Sequence, residues 1–512
     1  MISAYTGTHI RAVEKRLLED SADPGMGAVL MQRAAYGLAN AVVDELHLRG
    51  RRRYGSNVTV LVGKGNNGGD GLYAAALLAR RGMRTTAVLT AGDGHPAGLA
   101  AFRTAGGRDT ILSEANAAAL AAEAARADVV IDAILGTGAQ GGLRGAAALL
   151  LDELQRAAGH LSRHRLVVAC DVPSGVNADT GQAHAPVLTA DVTVTFGAPK
   201  AGLLTDPGAD FAGRIRTIPI GIEGQLARPE LRRLEDEDLA ALLPHPARRS
   251  HKYSRGVLGV VAGSVRYPGA AVLACRGALA AGAGMVRYVG PPEVADLVRQ
   301  SCPEVVCGTS VAEAHVQAWL LGSGLDEGAQ EQLDRVREAA AAGLPTVADA
   351  GALPVLPRRL SARTVLTPHA GELAALLDRY DSGPDRAAVE DDTLAAVRQA
   401  TGRTGATVLL KGATTLVAAP SGAVFSQAEA SPWMATAGSG DVLAGILGSL
   451  LAQVADNADA FAARGIDGPD RWAAIGAMAA SLHGRAGVLA SNGGPLAASD
   501  LARTLPEVIA KL

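Results

Sequence analysis

The run Asn57-Val-Thr-Val-Leu-Val62 passes without a linker into Gly63-Lys-Gly-Asn-Asn-Gly-Gly-Asp-Gly71. Its branched residues predict a buried strand, and the spacing beyond the glycines predicts a helix over 72–81. Strand, glycine turn and helix in immediate succession restrict the chain to the α/β class, with a parallel sheet and a phosphate-binding turn at a helix N-terminus. Gly63, Gly65 and Gly68 satisfy the G-x-G-x-x-G spacing of dinucleotide folds, but the acidic residue that should end the next strand has only Asp93, embedded in a turn, as a candidate. The interior of the turn says more. Asn66, Asn67, Gly68, Gly69 and Asp70 bring two amides and a carboxylate to a place where a phosphate needs only backbone N–H groups. Asx turns would account for them locally; as a cluster they point to a cation or a polar ligand.

Two further strand ends are expected at the same pocket. Asp128 to Leu135 reads as a strand that opens into Gly136-Thr-Gly-Ala-Gln-Gly-Gly142, and Leu166 to Cys170 as one that ends in Asp171-Val-Pro-Ser-Gly175. Ligands of open parallel sheets bind beyond the carboxyl ends of the strands, so Asn67, Asp132, Asp171 and Ser174 are expected to converge. Asp132 stands among apolar neighbours, where an ionised carboxylate must be paired or bind a metal. An oxygen-only set of Asn, Asp and Ser suits a hard cation.

At 512 residues the chain exceeds what one core usually serves, so two domains are expected. A net charge of −3 and only three Trp, eight Tyr and five Phe, with no interleaved basic and aromatic array, argue against nucleic acid as a partner. The four cysteines, Cys170, Cys275, Cys302 and Cys307, lack C-x-x-C spacing, which points to a reducing compartment rather than structural zinc. No apolar run reaches membrane-span length, and residues 1–16 are charged where a signal peptide would be apolar. A soluble cytoplasmic protein is therefore expected, with no membrane partner and a homo-oligomeric state. After Ile218-Pro-Ile-Gly-Ile222 the composition turns charged and proline-bearing. That shift divides the chain into a first domain over 1–223, a linker over 224–233 and a second domain over 234–512.

The second half repeats the alternation of strand and helix, through strands at 257–261, 285–289, 346–349 and 364–366, and reads as a second, doubly wound α/β domain. Its polar residues gather at strand ends. Thr367-Pro-His-Ala-Gly-Glu372 reads as a helix start with Thr367 as cap, which leaves His369 unexplained. The stretch Thr407 to Leu416 reads as a strand ending in Lys411, a cation suited to nucleotide phosphates. Ala435-Thr-Ala-Gly-Ser-Gly-Asp441 introduces an apolar helix; Gly438, Ser439 and Gly440 can aim N–H groups at an anion, and Asp441 is either a cap or a base beside it.

Gly-Asn-Asn-Gly-Gly-Asp-Gly, the Asp132 strand before Gly-Thr-Gly and Asp-Val-Pro-Ser-Gly together resemble the NAD(P)H-hydrate epimerase domain, a Rossmann-like three-layer α/β/α sandwich. His251-Lys252, Leu366 to Glu372, Leu410 to Leu416 and Met434 to Gly445 resemble the ADP- or ATP-dependent NAD(P)H-hydrate dehydratase, a ribokinase-like doubly wound fold. The first resemblance implies that Asn66 to Asp70 and Gly136, Thr137, Gly138, Ala139, Gln140, Gly141 and Gly142 hold the hydrated dinucleotide. It also implies that Asn67, Asp132 and Ser174 ligate potassium and that Asp171 is the catalytic acid/base. The second implies that Lys411, Gly412, Ala413, Thr414, Thr415 and Gly438 to Gly440 bind ADP or ATP, with magnesium, and that Ala271, Gly324 and His369 face hydrated NADH or NADPH. Asp441 would be its catalytic base. The implied reaction is epimerisation of the R and S hydrates at C6, then dehydration of the S form with release of AMP (or ADP) and phosphate. Three departures are visible: Leu30-Met-Gln-Arg-Ala-Ala35 for Leu-Met-Glu-x-Ala-Gly, Asp349-Ala-Gly-Ala-Leu353 for Asp-Ala-Asp-Ala-Leu, and Ser439 where many relatives have Thr. A small-molecule kinase of the same fold, and a nucleotide sensor without chemistry, are the alternatives.

Overall fold

The computed structural model describes residues 1–21, 25–139, 141–159, 165–326, 328–380 and 383–512. The chain divides into two units, Ser3–Glu230 and Leu231–Leu512, the second also taking in Met1 and Ile2. The division falls within the stretch expected as linker. Leu231–Arg233 there is a strand of the second unit's sheet, its Arg232 pairing with Phe425 of the neighbouring strand, so it is held by backbone hydrogen bonding rather than left as a spacer. The Met1 ammonium pairs with Glu235 at 2.8 Å and Asp238 at 2.7 Å, which draws the first two residues into that unit.

In the first unit seven parallel strands, Asn57–Val62, Arg84–Leu89, Arg108–Ile111, Val129–Ala133, Leu166–Cys170, Val192–Phe196 and Arg214–Ile218, lie in the order third, second, first, fourth, fifth, sixth, seventh. Alternate residues feed two cores, as the two-residue period of a strand requires. Val60, Val62, Ile131 and Val168 pack with Leu38, Val42 and Leu72 from the helices Met26–Leu48 and Asn66–Arg80. Leu61, Val130 and Val167 face the other way, onto Leu120, Ala124 and Leu150 from the helices Ala117–Arg126 and Gly145–Gly159. Strand order reverses between Asn57–Val62 and Val129–Ala133, and the crevice beyond their carboxyl ends is where such a sheet binds ligands.

The second unit repeats this order in its parallel strands Val257–Val261, Met285–Val289, Val306–Gly308, Ala318–Leu321, Thr346–Ala348, Thr364–Leu366 and Thr407–Leu410. The sheet then continues through an antiparallel hairpin, Thr415–Ala418 and Val424–Gln427; the strand expected to end at Lys411 is Thr407–Leu410, and Lys411 to Thr414 lead from it into Thr415–Ala418. On one face the helices Pro268–Ala280, Ser439–Val454, Asp470–Ser491 and Ala498–Ala510 bury one apolar core with Val260, Leu320 and Val347. Two of these helices cross at backbone contact. A Cβ at Gly445 would lie 2.1 Å from the Ala274 carbonyl oxygen, and one at Gly277 2.6 Å from that of Val442. No described helix is long and apolar enough to cross a membrane.

Candidate active sites

The first site forms at the strand-order reversal of unit Ser3–Glu230. The helix expected from Leu72 begins at Asn66, so Asn66 to Asp70 are its first turn and not a loop. Close packing is the reason. A Cβ at Gly63 would sit 1.9 Å from the Ile134 carbonyl oxygen and one at Gly68 2.0 Å from that of Gly63, so only a three-residue turn of minimal bulk fits between strand and helix. None of Gly63, Gly65, Gly68 and Gly69 has a positive φ; these glycines serve approach rather than unusual backbone angles.

Asn67, Asp132 and Ser174 are joined by hydrogen bonds. Ser174 donates from Oγ to Asp132 Oδ1 at 2.6 Å and from its backbone N–H to Oδ2 at 2.8 Å. The Leu135 N–H donates to Ser174 Oγ at 2.9 Å, and Asn67 Nδ2 donates to the Leu135 carbonyl at 2.8 Å. Burial pushes the Asp132 carboxyl up against the opposing pull of the Ser174 hydrogen bonds. The Asn67 side-chain oxygen is buried and has no hydrogen-bond partner among the described residues. Among the described residues no group of three or more His, Cys, Asp or Glu could hold a metal; what this cluster offers a cation is the amide, carboxylate and hydroxyl oxygens of Asn67, Asp132 and Ser174.

Beside this cluster lies a cavity of about 740 Å³ lined by Asn66, Asn67, Asp70, Gly136 to Ala139, Gly142, Asp171 and Lys200, among others. Gly68 and Gly69 are buried in the helix, Gly141 lies in the loop with φ +79°, and Gln140 falls outside the described residues. Asp171 follows the strand Leu166–Cys170 with a left-handed φ of +67°. Its Oδ1 accepts from Thr195 Oγ1 at 3.1 Å, from the Phe196 N–H at 3.3 Å and from Lys200 Nζ. Burial, followed by the negative charges of Asp171 and Glu14, pushes the Asp70 carboxyl well up, while Lys200 opposes this. Glu14 is raised by burial as well, against the pull of Lys200. Lys200, Glu14 and Arg11 are absent from the sequence-based set. The available signal was a lysine four residues beyond the apolar strand Val192–Phe196.

The second site forms at four carboxyl-terminal ends in unit Leu231–Leu512. Lys411 Nζ donates to Asp349 Oδ1 at 2.9 Å and lies 3.7 Å from Glu372 Oε2. Burial works against the Lys411 charge, but Asp349 and Glu372 outweigh it and the ammonium is held above its ordinary range. The cap of helix Ala370–Asp378 is His369 and not Thr367. His369 Nδ1 accepts from the N–H groups of Gly371 at 3.1 Å and Glu372 at 3.2 Å, and its own N–H donates to Glu372 Oε2 at 2.8 Å. Thr367 instead donates its hydroxyl to Asp349 Oδ1 at 2.8 Å. The histidine thus has a structural task, and its ring stays largely exposed with Nε2 3.7 Å from Glu372 Oε2.

The apolar helix expected from Asp441 starts at Ser439, after Gly438 with φ +88°, so Asp441 occupies the first turn and does not cap it. A Cβ at Gly440 would lie 3.6 Å from Lys411 Nζ, which brings the helix start and the lysine together. Burial and the negative charge of Asp349 push the Asp441 carboxyl up to about 7 against the pull of Lys411. Behind it His483, enclosed and lowered to about 4 chiefly by burial, meets Ser439 Oγ at 3.3 Å. Gly412 and Ala413 are exposed in the hairpin turn, Thr414 is buried, and Thr415 begins the next strand. Gly324, with φ +69°, lies close to the Tyr267 carbonyl and Gly263. Ala271 is fully enclosed in helix Pro268–Ala280. Asp349, Glu372 and His483 are absent from the sequence-based set; Asp349 and His483 meet partners far away in sequence, Lys411 and Ser439, whereas Glu372 has the local signal of the cap it forms with His369.

Residues 27–202 match the family model described as the YjeF-related protein N-terminus, and residues 258–507 match that of the NAD(P)H-hydrate dehydratase. The bifunctional NAD(P)H-hydrate repair enzyme Nnr of Mycobacterium tuberculosis is 40% identical over 88% of this chain and 89% of its own. That of Moorella thermoacetica is 34% identical over 94% and 92%. A solved ADP/ATP-dependent NAD(P)H-hydrate dehydratase from Bacillus subtilis, co-crystallised with ATP and Mg²⁺, is 26% identical over 55% of this chain and 98% of its own, with a TM-score of 0.47. Two successive domain matches and full-length relatives at this identity place the chain in one group: it belongs to the family of bifunctional NAD(P)H-hydrate repair enzymes.

Proposed function

We propose that the cavity at Asp171 interconverts the R and S hydrates of NADH or NADPH at C6, and that the Lys411–Asp441 site dehydrates the S form at the expense of ADP or ATP. The observation that carries the second half is the Asp441 carboxylate. It is raised to about 7, has no hydrogen-bond partner among the described residues, and stands in the first turn of a helix beside Lys411. A base is most effective when its pKa lies near the working pH. Asp441 takes the proton of the C6 hydroxyl as that oxygen attacks the terminal phosphorus, and the bond to the nucleotide's bridging oxygen breaks. Lys411 and the N–H groups at Gly438 to Gly440 stabilise the charge that develops on the phosphoryl oxygens. The ring nitrogen then expels phosphate from C6 and a proton leaves C5, restoring the dihydropyridine. Magnesium would enter on the nucleotide's phosphates and neutralise part of their charge; Asp441 is the uncommitted carboxylate nearby, since Asp349 is engaged by Lys411, Ser323 and Thr367.

In the first domain Asp171 takes the C6 hydroxyl proton as the carbonyl forms and the C6–N1 bond opens. Asp70, whose carboxyl is pushed well up by burial and its negative neighbours, supplies the proton that N1 needs. Closure on the opposite face runs these transfers in reverse and yields the other epimer. The buried, unpartnered Asn67 oxygen and the Asp132–Ser174 pair fit a hard cation, so potassium would be held there and would supply a fixed positive charge near the cavity.

One assay tests both halves. The protein is incubated with a mixture of R and S hydrates and ADP or ATP, and the return of reduced-nicotinamide absorbance is followed together with inorganic phosphate. Recovery of both epimers with phosphate release is expected. Absence of recovery with either nucleotide, or accumulation of a stable phosphoester, overturns the proposal.

A further inference from the structure

Lys200 is a lysine with only 1% of its surface exposed. Burying an ammonium is expensive unless it is paired and its protons are accepted. All three of its protons have acceptors: Asp171 Oδ1, Thr195 Oγ1 at 3.0 Å and the Phe196 carbonyl at 2.9 Å. None is left for a substrate. On the other side of the pair, the three donors that reach Asp171 all converge on Oδ1, whereas Oδ2 receives none among the described residues. Asp171 itself holds a left-handed backbone, the only non-glycine residue of the first unit to do so among the described residues, and such angles persist only where the surroundings hold them.

We infer that Lys200 is a positioning residue of the epimerase site, pinning Oδ1 of Asp171 so that Oδ2 alone faces the cavity as the proton-transferring oxygen. Its partners Thr195 and Phe196 come from the neighbouring strand end, so the clamp joins two strands and the loop that follows them. The other charged groups around this pair are Glu14 and Arg11 from helix Gly7–Asp20 and Asp70 from helix Asn66–Arg80. Of these, Lys200 is the one in direct contact with the Asp171 carboxylate.

The inference rests on Asp171 being the acid/base, and the test separates the two. Full-length Asp171→Asn, Lys200→Met, Lys200→Arg, Thr195→Val and the double variant Asp171→Asn/Lys200→Met are assayed for consumption of the R hydrate, with S-hydrate dehydration by the same chain as the control for protein amount and a thermal melt of the first domain as the control for its folding. Lys200→Met is expected to lower kcat for epimerisation about 10²-fold with KM changed less than about threefold, a range set by the loss of positioned proton transfer. Lys200→Arg should recover part of that loss, and Thr195→Val, which keeps both charges, should show a smaller one. The double variant should be no slower than Asp171→Asn, because residues acting through one another are not additive. If Asp171→Asn epimerises normally, the reading of Asp171 fails. If Asp171→Asn is inactive while Lys200→Met or Thr195→Val retains the unaltered kcat, or the Lys200→Met loss lies in KM, the role of Lys200 is overturned.

Discussion

Lys411 Nζ donates to Asp349 Oδ1 at 2.9 Å, and Asp349 is held in turn by the hydroxyls of Ser323 and Thr367, each at 2.8 Å. The lysine that faces the helix start is therefore aimed by a buried carboxylate from another strand end, itself fixed by two more. Lys411→Met removes the cation opposite the phosphoryl group, and dehydration of the S hydrate should fall by about 10²-fold or more in kcat. Asp349→Asn keeps a hydrogen-bond acceptor but loses the charge; the loss should be smaller and should include a higher KM for the nucleotide. Steady-state kinetics with ADP and ATP check both, and an unchanged Lys411→Met enzyme contradicts the proposed site.

The Asp441 carboxyl, raised to about 7, sets a pH dependence. A base must be ionised, so kcat/KM for dehydration should fall about tenfold per unit below pH 7. Because the negative charge of Asp349 is one cause of the shift, Asp349→Asn should move this acid limb to lower pH. Stability should run in the opposite sense to activity. The folded chain holds the proton that the unfolded chain releases near the ordinary carboxylate range, so between about pH 4 and pH 7 folding favours the protonated form and stability declines as pH rises. Asp441→Asn should then stabilise the second domain at pH 8, by on the order of 1 kcal/mol once partial solvation of the side chain is allowed for, with the gain vanishing near pH 4. Thermal melts across that range read it directly.

The strands and both glycine turns could be read from sequence because they are local: branched runs such as Asn57–Val62 and Val257–Val261 carry their own pattern, and each ends in small residues. The family resemblance rested on the same motifs. What sequence could not show was partnership. Lys200 reads as one more residue of a loop until Thr195, Phe196 and Asp171 close around it, and His369 reads as unexplained until Glu372 completes its cap. Glycine was misread in a similar way. Gly63 and Gly68 read as a phosphate-binding turn, whereas a Cβ at Gly63 would meet the Ile134 carbonyl beyond the neighbouring strand and one at Gly68 the Gly63 carbonyl, contacts that the local pattern does not reveal.

Close approach also sets the place of Asp441. Gly445 lies one helical turn beyond it, pressed against Ala274 across the crossing with Pro268–Ala280. Gly445→Val must part the two helices, which should destabilise the second domain by about 1–3 kcal/mol as overpacking does. It should also slow dehydration at temperatures where the domain remains folded, while epimerisation by the same chain is unaffected. A Gly445→Val protein with normal stability and normal dehydration would show that the crossing does not position the site.

The orphaned Asn67 oxygen makes a separable prediction for the first domain. A buried amide oxygen without a donor is costly, and a bound cation relieves that cost as well as any charge on Asp132. Potassium should therefore raise the melting temperature of the first domain in a concentration-dependent way, whereas a bulky tetraalkylammonium salt at equal ionic strength should not. At about 100 times the dissociation constant, binding to the folded state alone contributes about 2.7 kcal/mol. Asn67→Ala and Asp132→Asn should each abolish the potassium-specific shift and slow consumption of the R hydrate, yet leave dehydration of the S hydrate intact. Ser174→Ala should weaken the shift as well, because it removes the hydroxyl that ties Asp132 to the Leu135 backbone. A shift of equal size in all three variants would place the ion elsewhere in the protein.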